Sequence, residues 1–234
     1  MSIGFNATLG TANSDKITVS YASIPTQFTV SCRFYPRYTG VSFDQQTTNI
    51  CRIFDQSINS GNVATDTRRT VYYSNTSKCF IFGQRWSGAT AVTAWNFPNN
   101  TFGTNLAWNS IIIRYDASSP SNIPIGFFNG TKYTLTLTTA AATGSILTDT
   151  NSLVIGNRGD NIRCFDGQIS EFAYWSRLLS DDECYGLQKS ISPRVYPRNR
   201  MIYLPLRRNI ACQSGNTATV VGTQVQPHGR VLNG

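Results

Sequence analysis

Apolar and polar residues alternate with a period of two along most of this chain. Across Gln27–Tyr35 the side chains of Phe28, Val30, Cys32 and Phe34 fall on one face, as a half-buried strand requires. Similar runs recur at Lys16–Val19, Ile50–Phe54, Thr70–Tyr73, Lys78–Phe82, Ala91–Phe97 and Ala107–Tyr115. Asn-, Ser- and Gly-rich turns separate them, the spacing of an all-β sandwich. Ile111-Ile112-Ile113 breaks the alternation and reads as a strand buried on both faces. Ile125–Phe128 and Thr131–Thr138 flank Asn129-Gly130, a step that favours a two-residue hairpin turn.

One short segment changes period. Ser180 and Glu183 have the spacing of a capping box, with Leu179 and Cys184 placed to staple it. A single helix is expected near 180–188. Beyond Ser190 the prolines at 193, 197 and 205 predict an extended segment rather than a helix. Residues 217–225 read as a last strand or hairpin.

The stretch SLVIG, followed by FDGQISEFAYWSRLLSDDE, resembles the closing strands and helix of laminin-G-like, concanavalin A-like sandwich domains. FTVSCRFYPR, LAWNSIIIRYDASS and IGFFNGTKY precede it in that family's order, so the resemblance covers about residues 3–188. It implies a two-sheet antiparallel jelly-roll sandwich over 1–189; beyond Ser190 the resemblance fades, and the basic, proline-punctuated stretch 190–234 reads as a C-terminal docking arm. It also implies a binding module more readily than an enzyme, and it places Trp108 and Trp175 at buried positions.

Composition adds a charge asymmetry. Of the formal charge of +8, residues 1–184 contribute thirteen basic and twelve acidic side chains. Residues 185–234 contain seven basic residues and no acid, so almost all the excess lies there. Arg194, Arg198, Arg200, Arg207 and Arg208, interleaved with Tyr196 and Tyr203, have the composition of a protein interface. No nucleic-acid motif accompanies them, so a nucleic-acid partner is not expected. No 18-residue apolar run suggests a membrane partner. The N-terminus lacks the basic and apolar regions of a secretory leader. The six cysteines, with no C-x-x-C pair, are therefore expected to be buried thiols rather than disulfides or zinc ligands.

Catalytic chemistry finds little support. Retaining hydrolysis on this kind of fold needs closely spaced carboxylates. The only glutamates are Glu171 and Glu183, and Glu183 is assigned to the capping box. The single histidine, His228, lies in the C-terminal tail. Arg158-Gly159-Asp160 is read as an inter-strand turn rather than an adhesion signal. The four N-x-S/T sequons, starting at Asn6, Asn75, Asn99 and Asn129, are expected to stay unmodified. Asp55 and Asp66, with Asn59 and Asn62 between them, are the candidate calcium ligands, with Asp116 and Asp160 as other rim candidates, since calcium takes six to eight oxygens. Trp86, Trp95, Tyr72 and Tyr73 are the candidate sugar-stacking aromatics.

These features predict a non-catalytic protein with no obligatory cofactor. Laminin-G-like domains are frequent in phage virion proteins, so the resemblance implies a capsid-decorating or appendage protein. Such a protein would be bound to other virion proteins through the basic arm, and homo-oligomeric or held in a lattice. The alternative is an extracellular glycan-binding lectin, with calcium as its metal.

Overall fold

The computed structural model describes residues 2–5, 15–20, 24–37, 50–58, 67–74, 76–89, 91–102, 107–139, 143–149, 152–206, 212, 216–222 and 224–226. Its strands are β1 (Ser2–Phe5), β2 (Lys16–Ser20), β3 (Gln27–Pro36), β4 (Ile50–Ser57), β5 (Thr67–Ser74), β6 (Cys79–Gln84), β7 (Thr93–Asn96) and β8 (Asn109–Asp116). They continue with β9 (Ile125–Phe128), β10 (Thr131–Thr134), β11 (Thr136–Leu137), β12 (Ser152–Ile155), β13 (Gly167–Trp175), β14 (Arg200–Leu204), β15 (Ala218–Val221) and β16 (Gln224–Gln226). The helix α1 spans Asp181–Gln188.

Two antiparallel sheets pack face to face. The first runs β10-β9-β8-β3-β13-β1-β16, with β14 also paired to β13. The second runs β11-β7-β6-β5-β4-β12-β2-β15. Phe28, Val30, Cys32 and Phe34 of β3 point between the sheets, as their alternation predicts, and meet Phe82, Tyr115, Tyr174 and Phe80. All six cysteines are free and five are buried.

A second, smaller core lies on the outer side of the first sheet, beneath α1. It joins Ile112, Phe127, Ala173 and Trp175 to Leu179, Cys184 and Leu187. This explains the unbroken isoleucine run. Ile111 and Ile113 fill the inter-sheet core, while Ile112 faces the helix. Ser180 caps α1 as its sequence predicts: its hydroxyl accepts from the Glu183 amide at 3.2 Å, and its own amide donates to Glu183 Oε2 at 2.8 Å.

In β13 the register shifts between Ser170 and Ala173, where Glu171 takes a positive φ of 52°. Strict alternation after Ile169 would aim Glu171, Ala173 and Trp175 into the inter-sheet core. The bulge moves the phase by one residue, so Phe172 and Tyr174 fill that core and the carboxylate stays out of it. At the opposite end of the same sheet, Asn129 and Gly130 both have positive φ, as a type I′ hairpin demands.

The C-terminal segment departs from the expected arm. Residues 190–206 follow the sheet: β14 pairs with β13 through Phe172↔Leu204, Ala173↔Tyr203 and Tyr174↔Ile202. Ile202, Leu204 and Leu206 are fully buried in the inter-sheet core. Farther on, β15 and β16 do not pair with each other as a hairpin. They part, β15 onto β2 in the second sheet and β16 onto β1 in the first. The boundary expected at residue 189 is therefore not a boundary of packing. Apolar residues past it complete the core, because neither β13 nor the edges of the sheets are covered without them.

Candidate functional site

The structure sorts the four candidate aromatics by strand register. In the pairs Val71↔Phe82 and Phe82↔Trp95 the side chains point inward, and alternation along β5 turns Tyr72, which stands opposite Arg52 of β4, to the other face. Trp95 stacks on Phe82 at 5.7 Å and meets Tyr115 at 5.3 Å. Tyr73 packs against Phe80 at 5.5 Å. Trp86, Trp95 and Tyr73 are at most 2% exposed, so their faces are spent on the core and cannot receive a sugar. Only Tyr72 reaches the outer face of the second sheet, half-buried.

Tyr72 sits in a charged strip on β4 and β5. The Arg52 guanidinium lies 4.6 Å above its ring, a cation–π arrangement. Arg52 also donates to Thr70 Oγ1 at 2.9 Å and lies 3.7 Å from Asp55 Oδ1. Thr67 donates its hydroxyl to Asp55 at 3.4 Å. Asp55 is fully buried. Burial pushes its pKa up to about 6, against the opposing pull of Arg52. The same burial lowers the Arg52 pKa and raises that of Tyr72.

This environment does not suit calcium. Asp55 faces a guanidinium and hydroxyl donors instead of further oxygen ligands, and no group of three metal-ligating side chains occurs among the described residues. Asp66, Asn59 and Asn62 lie outside the described residues. Nearby, Arg158 and Asp160 bind one another through both guanidinium and carboxylate, and Arg158 is 6% exposed. The tripeptide is therefore a self-paired turn.

Both glutamates are held in structural contacts. Arg177 grips Glu183 at 2.5 and 2.7 Å and holds its carboxyl below the usual range. Tyr203 donates to Glu171 at 2.7 Å, with the Ser192 hydroxyl at 3.4 Å. His228 lies outside the described residues.

The expected docking residues divide in the same way. Arg194 and Arg198 are exposed, beside exposed Lys189, Ile191 and Val195. Tyr196 is half-buried, and its carbonyl accepts from Trp175 Nε1 at 2.7 Å. Arg200 donates to the Pro193 carbonyl at 2.6 Å and stacks over Tyr203, which is 1% exposed. Arg200 and Tyr203 thus bind the segment to its own sheet rather than to a partner. Arg207 and Arg208 lie outside the described residues.

Sequence reasoning missed one surface feature. Trp108, expected in the core, is half-buried. Its ring lies 5.9 Å from that of Tyr35 on the outer side of the first sheet. The register holds the only available signal: Asn109 pairs with Phe34, which sets Trp108 opposite the outward-facing Tyr35.

Comparison with known proteins agrees with this architecture. The family model for the concanavalin A-like lectin/glucanases superfamily matches residues 10–184. A native heptameric SAP-like pentraxin from Limulus polyphemus superposes with a TM-score of 0.56 at 15% identity, covering 94% of this chain and 95% of its own. The CBM40 module of the Ruminococcus gnavus IT-sialidase, bound to α2,3 sialyllactose, superposes with a TM-score of 0.51 at 15% identity, covering 77% and 96%. At such identities these likenesses concern the fold. No curated protein matches by sequence.

Proposed function

Because the chain belongs to the concanavalin A-like lectin/glucanases superfamily, we propose that it is a non-catalytic, glycan-binding sandwich carried on a bacteriophage particle. The observation that carries the binding role is the outer face of β4 and β5. There the half-buried ring of Tyr72 reaches the surface, with the largely buried guanidinium of Arg52 held 4.6 Å from it. An aromatic ring fixed in this way suits an uncharged, hydroxyl-rich ligand. The non-catalytic reading is supported by the two glutamates, both engaged in holding the fold together. The surroundings of Asp55 favour binding without calcium.

The attachment role is supported by the exposure of Lys189, Arg194 and Arg198 together with Ile191 and Val195 along residues 189–198. Exposed cations among apolar side chains complement an acidic protein surface. Other virion proteins are the proposed partners, and a repeating contact with them holds copies in a lattice.

Two experiments test these roles separately. A glycan array probed with the full chain should give a saturable signal that persists in EDTA and weakens in Tyr72→Ala. In particles of the encoding virus, the charge reversals Arg194→Glu and Arg198→Glu should reduce incorporation while leaving the purified protein folded. Unchanged incorporation overturns the attachment role alone.

A further inference from the structure

We propose that Asn129-Gly130 is a site of spontaneous deamidation whose rate is set by Gln188, the last residue of α1. The inference is independent of the glycan-binding reading and concerns the hairpin that joins β9 to β10. Of the two Asn-Gly steps in the chain, Asn129-Gly130 and Asn233-Gly234, only the first lies among the described residues. Both of its residues are exposed. Gly130 carries no side chain, and the position that a Cβ would take has nothing within 4 Å. No bulk on that side shields its backbone nitrogen, and water reaches it freely.

The reaction needs only water. The Gly130 amide nitrogen, giving up its proton, attacks Asn129 Cγ. The new N–Cγ bond closes a cyclic imide as the Cγ–Nδ2 bond breaks, and Nδ2 leaves as ammonia with the proton. Water then opens the imide at either carbonyl, which leaves aspartate or isoaspartate at position 129.

Each reacting group is held by a hydrogen bond. The Gly130 N–H donates to Gln188 Oε1 at 2.6 Å, so the nucleophile keeps its proton while this bond lasts. Asn129 Oδ1 accepts from the Ser110 amide at 2.9 Å, and Asn129 Nδ2 donates to Asn109 Oδ1 at 2.8 Å. These two bonds pin the carboxamide to β8, where Asn109 and Ser110 are buried. The bond to Gly130 is different. It comes from one half-buried side chain in the last position of a helix, and helix ends open more easily than interior strands. It is therefore the hold most readily lost. The product also alters the fit. An ionised aspartate at 129 has no proton to give Asn109 Oδ1, and Asn109 cannot reverse its amide without losing the 2.7 Å bond from its Nδ2 to the Ala107 carbonyl. Deamidation thus loosens the hairpin from β8.

The test incubates the full chain at mildly alkaline pH and follows the peptide containing Asn129 by mass spectrometry. Gln188→Ala removes one hydrogen bond from the nucleophile and should speed deamidation at Asn129 roughly threefold to tenfold. The urea-unfolded chain, which lacks all three holds, should be faster again. Asn109 and Asn157, both buried, are followed in the same digests and should keep their wild-type rates in the variant, since only general unfolding would speed them. Gln188→Glu keeps an acceptor oxygen for the Gly130 N–H and should stay at the wild-type rate. A Glu variant as fast as the Ala variant, or an Ala variant no faster than the wild type, overturns control by Gln188. An Asn129 that stays intact even in the unfolded chain overturns the site itself.

Discussion

Tyr203 donates its hydroxyl to Glu171 Oε2 across 2.7 Å, and both residues are buried. The bond joins β14 to the bulge of β13, so the residue that breaks the strand's alternation also receives the C-terminal segment. Removing the donor leaves a buried carboxylate short of a hydrogen bond, which costs about 1–3 kcal/mol. Tyr203→Phe should therefore lower the urea midpoint with an unchanged slope. An unaltered midpoint would show that the bond contributes nothing to stability.

The same relationship bears on truncation. Ile202, Leu204 and Leu206 are fully buried. At about 1.5–3 kcal/mol for each large apolar side chain, their removal costs roughly 5–9 kcal/mol, comparable with the whole stability of a domain. A chain ending at residue 189 should not fold cooperatively. A sharp thermal transition from that fragment would contradict the integrated fold.

The capping box offers a local test. Ser180→Ala removes the acceptor for the Glu183 amide and should cost about 1 kcal/mol. The effect should appear as a lower denaturant midpoint and as faster amide exchange in α1, which packs on the first sheet.

The pH dependence carries two opposite signs. Burial raises the folded pKa of Asp55 from 3.8 to about 6. The folded state thus holds this proton more tightly than the unfolded chain. Stability from this group is present below pH ~4 and is lost as pH rises towards 6. Glu183 behaves in the opposite way: Arg177 depresses its pKa, so its contribution is present at neutral pH and lost on acidification. Comparison with Asp55→Asn isolates the first effect. The wild type should lose stability relative to the variant as pH is raised from 4 to 6, whatever their constant offset. Parallel curves would remove Asp55 as a titrating group.

The thiols should be silent in the native state. Burial pushes the Cys79 pKa up to about 11 and that of Cys184 to about 12, and raises that of Cys32 further. Only Cys212 is partly exposed. A disulfide reagent should titrate at most one thiol in native protein and all six after unfolding.

What the sequence reveals follows from the range of the interactions concerned. The face made by Phe28, Val30, Cys32 and Phe34, the Asn129-Gly130 turn and the Ser180–Glu183 box are set by residues a few positions apart, and all three are visible in the chain. The orientation of Trp95 and Trp108 is not. It depends on which residue stands opposite on another strand, and bulges such as the one at Glu171 shift that register by one. Likewise β16 pairs with β1 at the far end of the chain. No local pattern announces such a partner, so an acid-free segment that completes two sheets looks like a detached arm. The candidate site was legible only at Tyr72.

The most direct test of the account is to incubate the full chain with the glycans it retains and to measure binding and sugar release in the same samples. Saturable binding with no new reducing ends, unchanged by EDTA, is the predicted result. Time-dependent release of reducing ends, lost on substitution of Glu171 by Gln in a variant that still folds, would contradict a non-catalytic binding sandwich.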